Sequence, residues 1–325
     1  MSGAFFPNLG IPQPDYRLDV GSGTHADQTA RIMMAFEDVC ESELPDSVVV
    51  VGDVNSTVAA GLVAKKLGIQ LVHVEAGLRS GDRTMPKEIN RLATDAITDL
   101  FFVTEREAAE NLRREGQPDE SIHFVGHVMI DNLLFQREQL KREGPSERAS
   151  DIKRELPENY ACLTLHRPSN VDSREVLGSV VDTICEISAQ LPIVFPCHPR
   201  TRQKLESFGL MAELSAHITV TEPLGYDDFL HLWQDATLVL TDSGGLQEET
   251  TALQIPCITL RENTERPITV EVGSNTLVGS DPDLIRKNVS EVLNHRYKES
   301  RVPDLWDGRA SVRICERLVQ NIDRQ

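Results

Sequence analysis

The feature that most constrains the fold is an alternation. Short, nearly continuous apolar runs recur along the chain, each followed by a longer amphipathic stretch. The runs are Ser47–Gly52, Gln70–Val74, Leu100–Val103, Ile122–Val125, Ala161–Leu165, Ile193–Cys197, His217–Val220, Thr237–Leu240 and Cys257–Leu260. A strand apolar on both faces must be covered on both faces, which a parallel sheet flanked by helices achieves. The alternation therefore predicts an α/β chain of doubly wound sheets with right-handed crossovers. Thr24–Glu43 reads as a helix capped by Thr24, with Ala26, Ala30, Met33, Met34 and Phe36 on or near one side. Ser56–Leu67 reads as a second helix, stopped by Gly68.

With 325 residues the chain suits two such domains. The polar stretch Lys141–Asp151 gathers charge, Pro and Gly where the strand pattern restarts. It sets the expected boundary: a first domain over residues 1–147 and a second over 148–307. Residues 308–325 form a final amphipathic helix that crosses back to the first, with Ala310, Ile314, Leu318 and Ile322 at spacings of four.

A formal net charge of -18 repels phosphate backbones, which excludes nucleic acid as a partner. No run approaches the roughly 20 apolar residues of a membrane helix. The opening MSGAFFPNLG lacks the basic and apolar regions of a secretory signal. Six scattered cysteines without a C-x-x-C pair read as reduced thiols. These features point to the cytoplasm.

Chemistry-bearing residues cluster where the strands end, the edge at which open parallel sheets bind ligands. Asp53 follows the first run and Glu75 the second; His166 and Arg167 follow the fifth. His198, Pro199 and Arg200 follow the sixth, Thr241 to Gly245 the eighth, and Arg261 the ninth. If the two halves face each other, these groups line one cleft. Gly244 and Gly245 open a helix whose unpaired N–H groups suit a phosphate, with a bare tight turn as the alternative. Ser243 lies in neither a P-loop nor a G-x-S-x-G elbow, so it reads as a phosphate ligand rather than a nucleophile. Glu248 or Glu249, one turn on, suits ribose hydroxyls. His166 and His198 suit anion recognition, or else cap local backbone. Asp53 and Glu75 form a pair fit for proton transfer, unless Asp53 caps the helix starting near Asn55. His73 and Glu75 alternate along one strand and are expected on one face. His123 and His127 lack the helical context of a metal site, and no metal is expected.

GDVNST (Gly52–Thr57), HVEAGLRSGDR (His73–Arg83), EINR (Glu88–Arg91), GHVMIDNL (Gly126–Leu133), LTLHRPSNVD (Leu163–Asp172), HPRTR (His198–Arg202), EPLGYDDF (Glu222–Phe229), TDSGGLQEE (Thr241–Glu249), LRENTERP (Leu260–Pro267) and LWDGRA (Leu305–Ala310) together resemble the non-hydrolysing UDP-N-acetylglucosamine 2-epimerases. The resemblance runs over nearly the whole chain in order. It implies two Rossmann-like domains facing across a cleft, a GT-B-like fold. It implies reversible epimerisation at C2 between UDP-N-acetylglucosamine and UDP-N-acetylmannosamine, through elimination and re-addition of UDP. It also implies a role in polysaccharide biosynthesis, a homodimer and no cofactor. Carried over, Asp53, Glu75, Glu88 and Arg91 would serve the acid–base side, and His166 the departing diphosphate. His198, Arg200, Ser243, Gly244, Gly245, Glu249 and Arg261 would hold the nucleotide.

Two departures stand out. The family's opening strand, G-T-R-P-E loop and helix have no counterpart, so the first domain is expected to be N-terminally truncated. Lys87 stands where the family usually has the first glutamate of Pro-Glu-Glu. Competing expectations are a catalytically impaired UDP-sugar-binding fragment, a GT-B glycosyltransferase, and the hydrolysing relative of the epimerases.

Overall fold

The computed structural model describes residues 12–322. Residues 1–10, examined above for a signal segment, lie outside the described residues, as does the side chain of Ile322. The chain divides into two compact units, residues 1–128 with 307–325, and residues 129–306.

In the first unit the described elements run α1 (His25–Glu43), β1 (Ser47–Val51), α2 (Asn55–Lys66), β2 (Gln70–Val74), α3 (Pro86–Ile97), β3 (Leu100–Val103), α4 (Arg106–Arg114) and β4 (Ile122–Phe124). All four strands are parallel and lie in the order β1-β2-β3-β4. Thr24 caps α1 by accepting the Asp27 N–H. The apolar stripe of α1 differs from the sequence reading. Ile32, Met33, Phe36 and Cys40 meet the core, whereas Ala26, Ala30 and Met34 are exposed. Leu71 and Phe101 are completely buried on one face of the sheet, and Val72, Val74 and Phe102 pack on the other.

The second unit begins within α5 (Val128–Glu143). It continues through α6 (Glu147–Glu155), β5 (Ala161–Thr164), α7 (Pro168–Val171), α8 (Arg174–Ser188), β6 (Ile193–Pro196), α9 (Pro199–Ser207), α10 (Met211–His217), β7 (Thr219–Thr221), α11 (Tyr226–Trp233), β8 (Leu238–Thr241), α12 (Gly244–Ala252), β9 (Cys257–Thr259), α13 (Pro267–Glu271), β10 (Asn275–Leu277) and α14 (Pro282–Leu293). Its six parallel strands lie in the order β10-β9-β8-β5-β6-β7. The chain thus builds outward from β5 in one direction, then returns to β8 and builds in the other. Strand β10 is too polar to have been read from the sequence.

The division at Val128–Met129 comes earlier than the expected 147–148. Burial decides it: Ile130, Leu133 and Leu140 of α5 pack in one cluster with Tyr160, Leu230 and Trp233. Charge and turn residues in Lys141–Asp151 mark a loop, and a loop need not be a domain boundary. The last helix, α15 (Ala310–Ile322), groups with the first unit. Its Ile314 and Leu318 pack against Val72, Val74 and Phe102.

Candidate active-site residues in the two units

In the second unit the strand order reverses between β5 and β8, and α/β sheets bind ligands at such a switch point. Asp242 ties the two strand ends together. Fully buried, it accepts the backbone N–H groups of His166 (2.9 Å) and Arg167 (2.8 Å), and lies 2.8 Å from Nδ1 of His166. Burial pushes its carboxyl up, but the His166 hydrogen bond and those backbone donors outweigh it and hold the group below the usual carboxylate range. Asn170 donates to Asp242 and to the Leu260 carbonyl, extending the clamp to the end of β9.

Prolines set the presentation of two neighbouring side chains. Pro168 and Pro199 each occupy the start of a helix, which holds Arg167 and His198 in extended backbone at the cap position. The His198 ring accepts the Arg200 N–H, so it does cap backbone, yet it also stands 6.0 Å from the His166 ring. The capping reading of that histidine holds.

A pocket of about 360 Å³ opens here. Leu224, Tyr226, Phe229 and Trp233 give it an apolar side; Thr164, His166, His198, Ser243, Gly245 and Glu249 give it a polar one. Ser243 precedes α12 and makes no side-chain cap, so the positive helix end faces no capping oxygen of its own. Glu249 lines the pocket and accepts the Tyr226 hydroxyl at 2.8 Å, whereas Glu248 is buried 2.6 Å from Arg266.

Beside Gly244, three arginines gather on one carboxylate. Glu265 lies 2.8 Å from Arg261, 3.3 Å from Arg266 and 4.0 Å from Arg167. A Cβ on Gly244 would come within 3.8 Å of both Arg167 and Arg266. Burial raises the Glu265 carboxyl, but Arg266 and Arg261 bring it down to about 2. Burial and the nearby Arg261 lower the Arg167 guanidinium. A second anion at this spot would relieve that cation–cation repulsion. Arg200 pairs with Asp172 at 2.6 Å. Arg167 was named among the strand-end residues, whereas Glu265 and Arg266 were not singled out in the sequence. LRENTERP carried those two, but spacing alone does not say which charge turns inward.

In the first unit, α3 organises everything around Asp53. Lys87 reaches Asp53 Oδ1 at 2.8 Å, Arg91 reaches Oδ2 at 2.5 Å, and Asn90 donates to the Asp53 carbonyl. The cap of α2 is Val54, without a side-chain hydrogen bond, so Asp53 is not a helix cap. Glu88 is 2% exposed; it accepts the Ser80 and Gly81 N–H groups and pairs with Arg91 at 3.0 Å. Burial raises its carboxyl, but these donors prevail and lower it. Glu88 therefore shapes the Ser80–Gly81 turn, with both its oxygens committed to those N–H groups and to Arg91.

Glu75 is half-buried, with φ of 65°, left-handed and uncommon for a residue with a side chain. The strand ends at Val74, so the expected alternation of His73 and Glu75 on one face breaks at that turn. Asp53, Glu75 and Arg91 nonetheless share one rim: a Cβ on Gly52 would lie 3.7 Å from a Glu75 carboxylate oxygen.

Parallel α/β units, one with an anion-ready pocket at its switch point and one with paired rim carboxylates, define the class of proteins that handle nucleotide-linked substrates. The comparisons are specific about which. A sequence profile for UDP-N-acetylglucosamine 2-epimerase matches residues 1–319. The chain is 44% identical over 321 residues to UDP-N-acetylglucosamine 2-epimerase of Methanococcus maripaludis, covering 97% of this chain and 87% of the relative. It is 40% identical to UDP-2,3-diacetamido-2,3-dideoxy-D-glucuronate 2-epimerase of Pseudomonas aeruginosa, covering 98% and 88%. It matches the crystal structure of Methanocaldococcus jannaschii UDP-GlcNAc 2-epimerase in complex with UDP-GlcNAc and UDP, with a TM-score of 0.82 and 44% identity over 97% of this chain and 88% of that one. The chain belongs to the UDP-N-acetylglucosamine 2-epimerase family. By family it is an isomerase with a GT-B-like fold, and the glycosyltransferase alternative has no support.

Proposed function

We propose that this chain interconverts UDP-N-acetylglucosamine and UDP-N-acetylmannosamine by elimination and re-addition of UDP. The observation that carries the reading is the Asp242-clamped pocket of the second unit. It combines a helix N-terminus and a carboxylate with an apolar wall, and Arg167 and Arg266 stand beside Gly244 at that helix start. In this reading the wall formed by Leu224, Tyr226 and Phe229 takes the base, and Glu249 takes the ribose hydroxyls. The N–H groups of α12, Ser243, His198 and the arginines take the diphosphate.

The chemistry follows from charge. A rim carboxylate of the first unit, Asp53 or Glu75, removes the C2 proton while the C1–O bond breaks. The electron pair of the C–H bond becomes the C1–C2 double bond, and the C1–O pair leaves with UDP. Cations and backbone donors stabilise that departing charge most strongly, because it develops in the transition state. Re-addition of UDP to C1, with proton delivery to the other face of C2, completes the inversion. The role of Arg91 is to hold Asp53, which it reaches at 2.5 Å. Six free thiols, five of them buried, support a cytoplasmic setting.

The test is incubation with UDP-N-acetylglucosamine in deuterated water, without an acceptor. Appearance of UDP-N-acetylmannosamine with deuterium at C2 is expected. Release of free N-acetylmannosamine with UDP would make the chain a hydrolase instead, and turnover without deuterium at C2 would remove proton transfer from the mechanism.

A further inference from the structure

Beneath the rim of the first unit lies a charged pair that the proposed chemistry does not use. His73 and Asp95 are both completely buried, with Nδ1 of His73 2.6 Å from Oδ1 of Asp95. The other ring nitrogen, Nε2, lies 2.9 Å from the Gly52 carbonyl oxygen. The second oxygen of Asp95 accepts the Gly77 N–H at 3.1 Å and lies 2.7 Å from Arg79.

These contacts join the two turns that carry the rim carboxylates. Gly52 precedes Asp53 and has φ of 70°; Gly77 follows Glu75 by two residues and has φ of 78°. Between them Glu75 is itself left-handed. The two glycines adopt this region freely, but Glu75 does not, and surrounding structure must hold it there. Gly77 also has no room for a side chain, since a Cβ would fall 2.3 Å from the Ala108 carbonyl oxygen. The pair holds the first turn through a carbonyl, bound by His73 of β2, and the second through an N–H, bound by Asp95 of α3.

Both neighbours of the ring are acceptors. A carbonyl oxygen can only accept, and Asp95 accepts from Gly77 and Arg79 as well. Two such partners require a proton on each ring nitrogen. Ionised Asp95 agrees with this: burial raises its carboxyl, but His73 and Arg79 outweigh burial and hold it low.

We propose that His73 and Asp95 are positioning residues, a buried imidazolium–carboxylate pair that fixes the Gly52 and Gly77 turns and so aims Asp53 and Glu75. The inference rests on the proton-transfer role proposed for those two carboxylates. The pair acts on the alignment of the proton-moving groups and leaves the nucleotide pocket of the second unit untouched.

Two measurements test it. In the wild-type protein labelled with ¹⁵N-histidine, both ring nitrogens of His73 should resonate as protonated nitrogens and show coupled protons. One deprotonated ring nitrogen would overturn the pair as described, whatever any variant does. The second measurement is Asp95→Asn, which keeps the side chain's shape and can still accept from Gly77 while turning its amide toward Nδ1. The expected result is a fall in kcat of roughly 10²-fold, the scale of a misaligned reacting group. KM and the affinity for UDP should stay within about twofold of wild type, and one ring proton of His73 should be lost. Unchanged kcat, or a loss confined to KM, would overturn the proposal. If wild-type protein itself shows no epimerisation or C2 exchange, the functional reading fails, while the histidine spectrum still decides whether the pair exists.

Discussion

The two units solve the same electrostatic problem in opposite ways. In the second, three arginines meet two carboxylates: Arg167, Arg261 and Arg266 converge on Glu265 beside a helix N-terminus, and Arg266 also pairs with Glu248. That arrangement leaves a positive excess, which in the proposed reaction a diphosphate balances. In the first, carboxylates and cations are matched. Asp53 has Lys87 and Arg91, Glu88 has Arg91 and two N–H groups, and Asp95 has His73 and Arg79. Such a rim is already satisfied and holds its carboxylates in fixed directions. One surface is built to receive charge, the other to aim it.

Topology sharpens the contrast. The second sheet reverses direction between β5 and β8, so its loops diverge and leave a crevice. Among the described residues the first sheet runs in a single direction, β1 to β4. Its polar groups are instead gathered by one helix. Glu88, Arg91, Thr94 and Asp95 are the buried residues of α3. An ordinary surface helix buries an apolar stripe; this one buries charge, which is stable only because each group is paired.

The comparison can be broken most directly at Arg91. Arg91→Ala strips one partner from both Asp53 and Glu88, and a buried pair broken on one side costs about 3–5 kcal/mol. Urea unfolding should show that loss; a cost under about 1 kcal/mol would mean the first unit is not organised by its buried charges.

Acid probes the second unit. The Glu265 carboxyl is lowered from 4.5 to about 2 in the folded protein, so its ionised form stabilises the fold at any pH above the unfolded value. That contribution, on the order of 3 kcal/mol, is lost as pH falls from about 4.5 through about 2. Glu265→Gln should flatten the dependence of the melting temperature on pH in this window. An unchanged slope would show that the arginines do not depend on Glu265 for their balance.

Glu249→Gln tests the receiving pocket more gently. It should raise KM for UDP-N-acetylglucosamine about tenfold, or about 1.4 kcal/mol, with kcat nearly unchanged. A drop in kcat at constant KM would move Glu249 from binding to chemistry.

The smallest effect is expected at Lys87, whose side chain is 55% exposed although it touches the same carboxylate as Arg91. Lys87→Ala should change stability by less than about 1 kcal/mol in urea unfolding, because water screens the pair. A loss as large as that of Arg91→Ala would erase the distinction between the buried and exposed partners of Asp53.

Much of this was legible beforehand, for reasons that can be named. Parallel strands write themselves as short apolar runs, so nine of them could be read even where one face is exposed, as in β1, while Asn275–Leu277 could not because two of its three side chains are polar. The Thr24 cap and the Gly68 stop are local and were legible for that reason. Residues after strand ends could be named as site candidates because the strand end itself fixes where they emerge. The direction of Arg200 was not legible, since a side chain with several rotatable bonds can turn to Asp172 as easily as to a ligand. The division of the chain was not legible either, because the polar loop at Lys141–Asp151 is visible in sequence and the burial of Ile130 and Leu133 is not.

What sequence alone determined, then, is periodic or local: the α/β alternation, the helix start at Thr24 and stop at Gly68, and the set of residues released at each strand's end. What only the tertiary structure decided is who pairs with whom. Asp242 with His166, Arg261 with Glu265 and His73 with Asp95 span separations from four to seventy-six residues, set by which strands lie side by side. Charge pairing acts through space and falls off with distance, so it becomes readable only when the sheet order has set those distances.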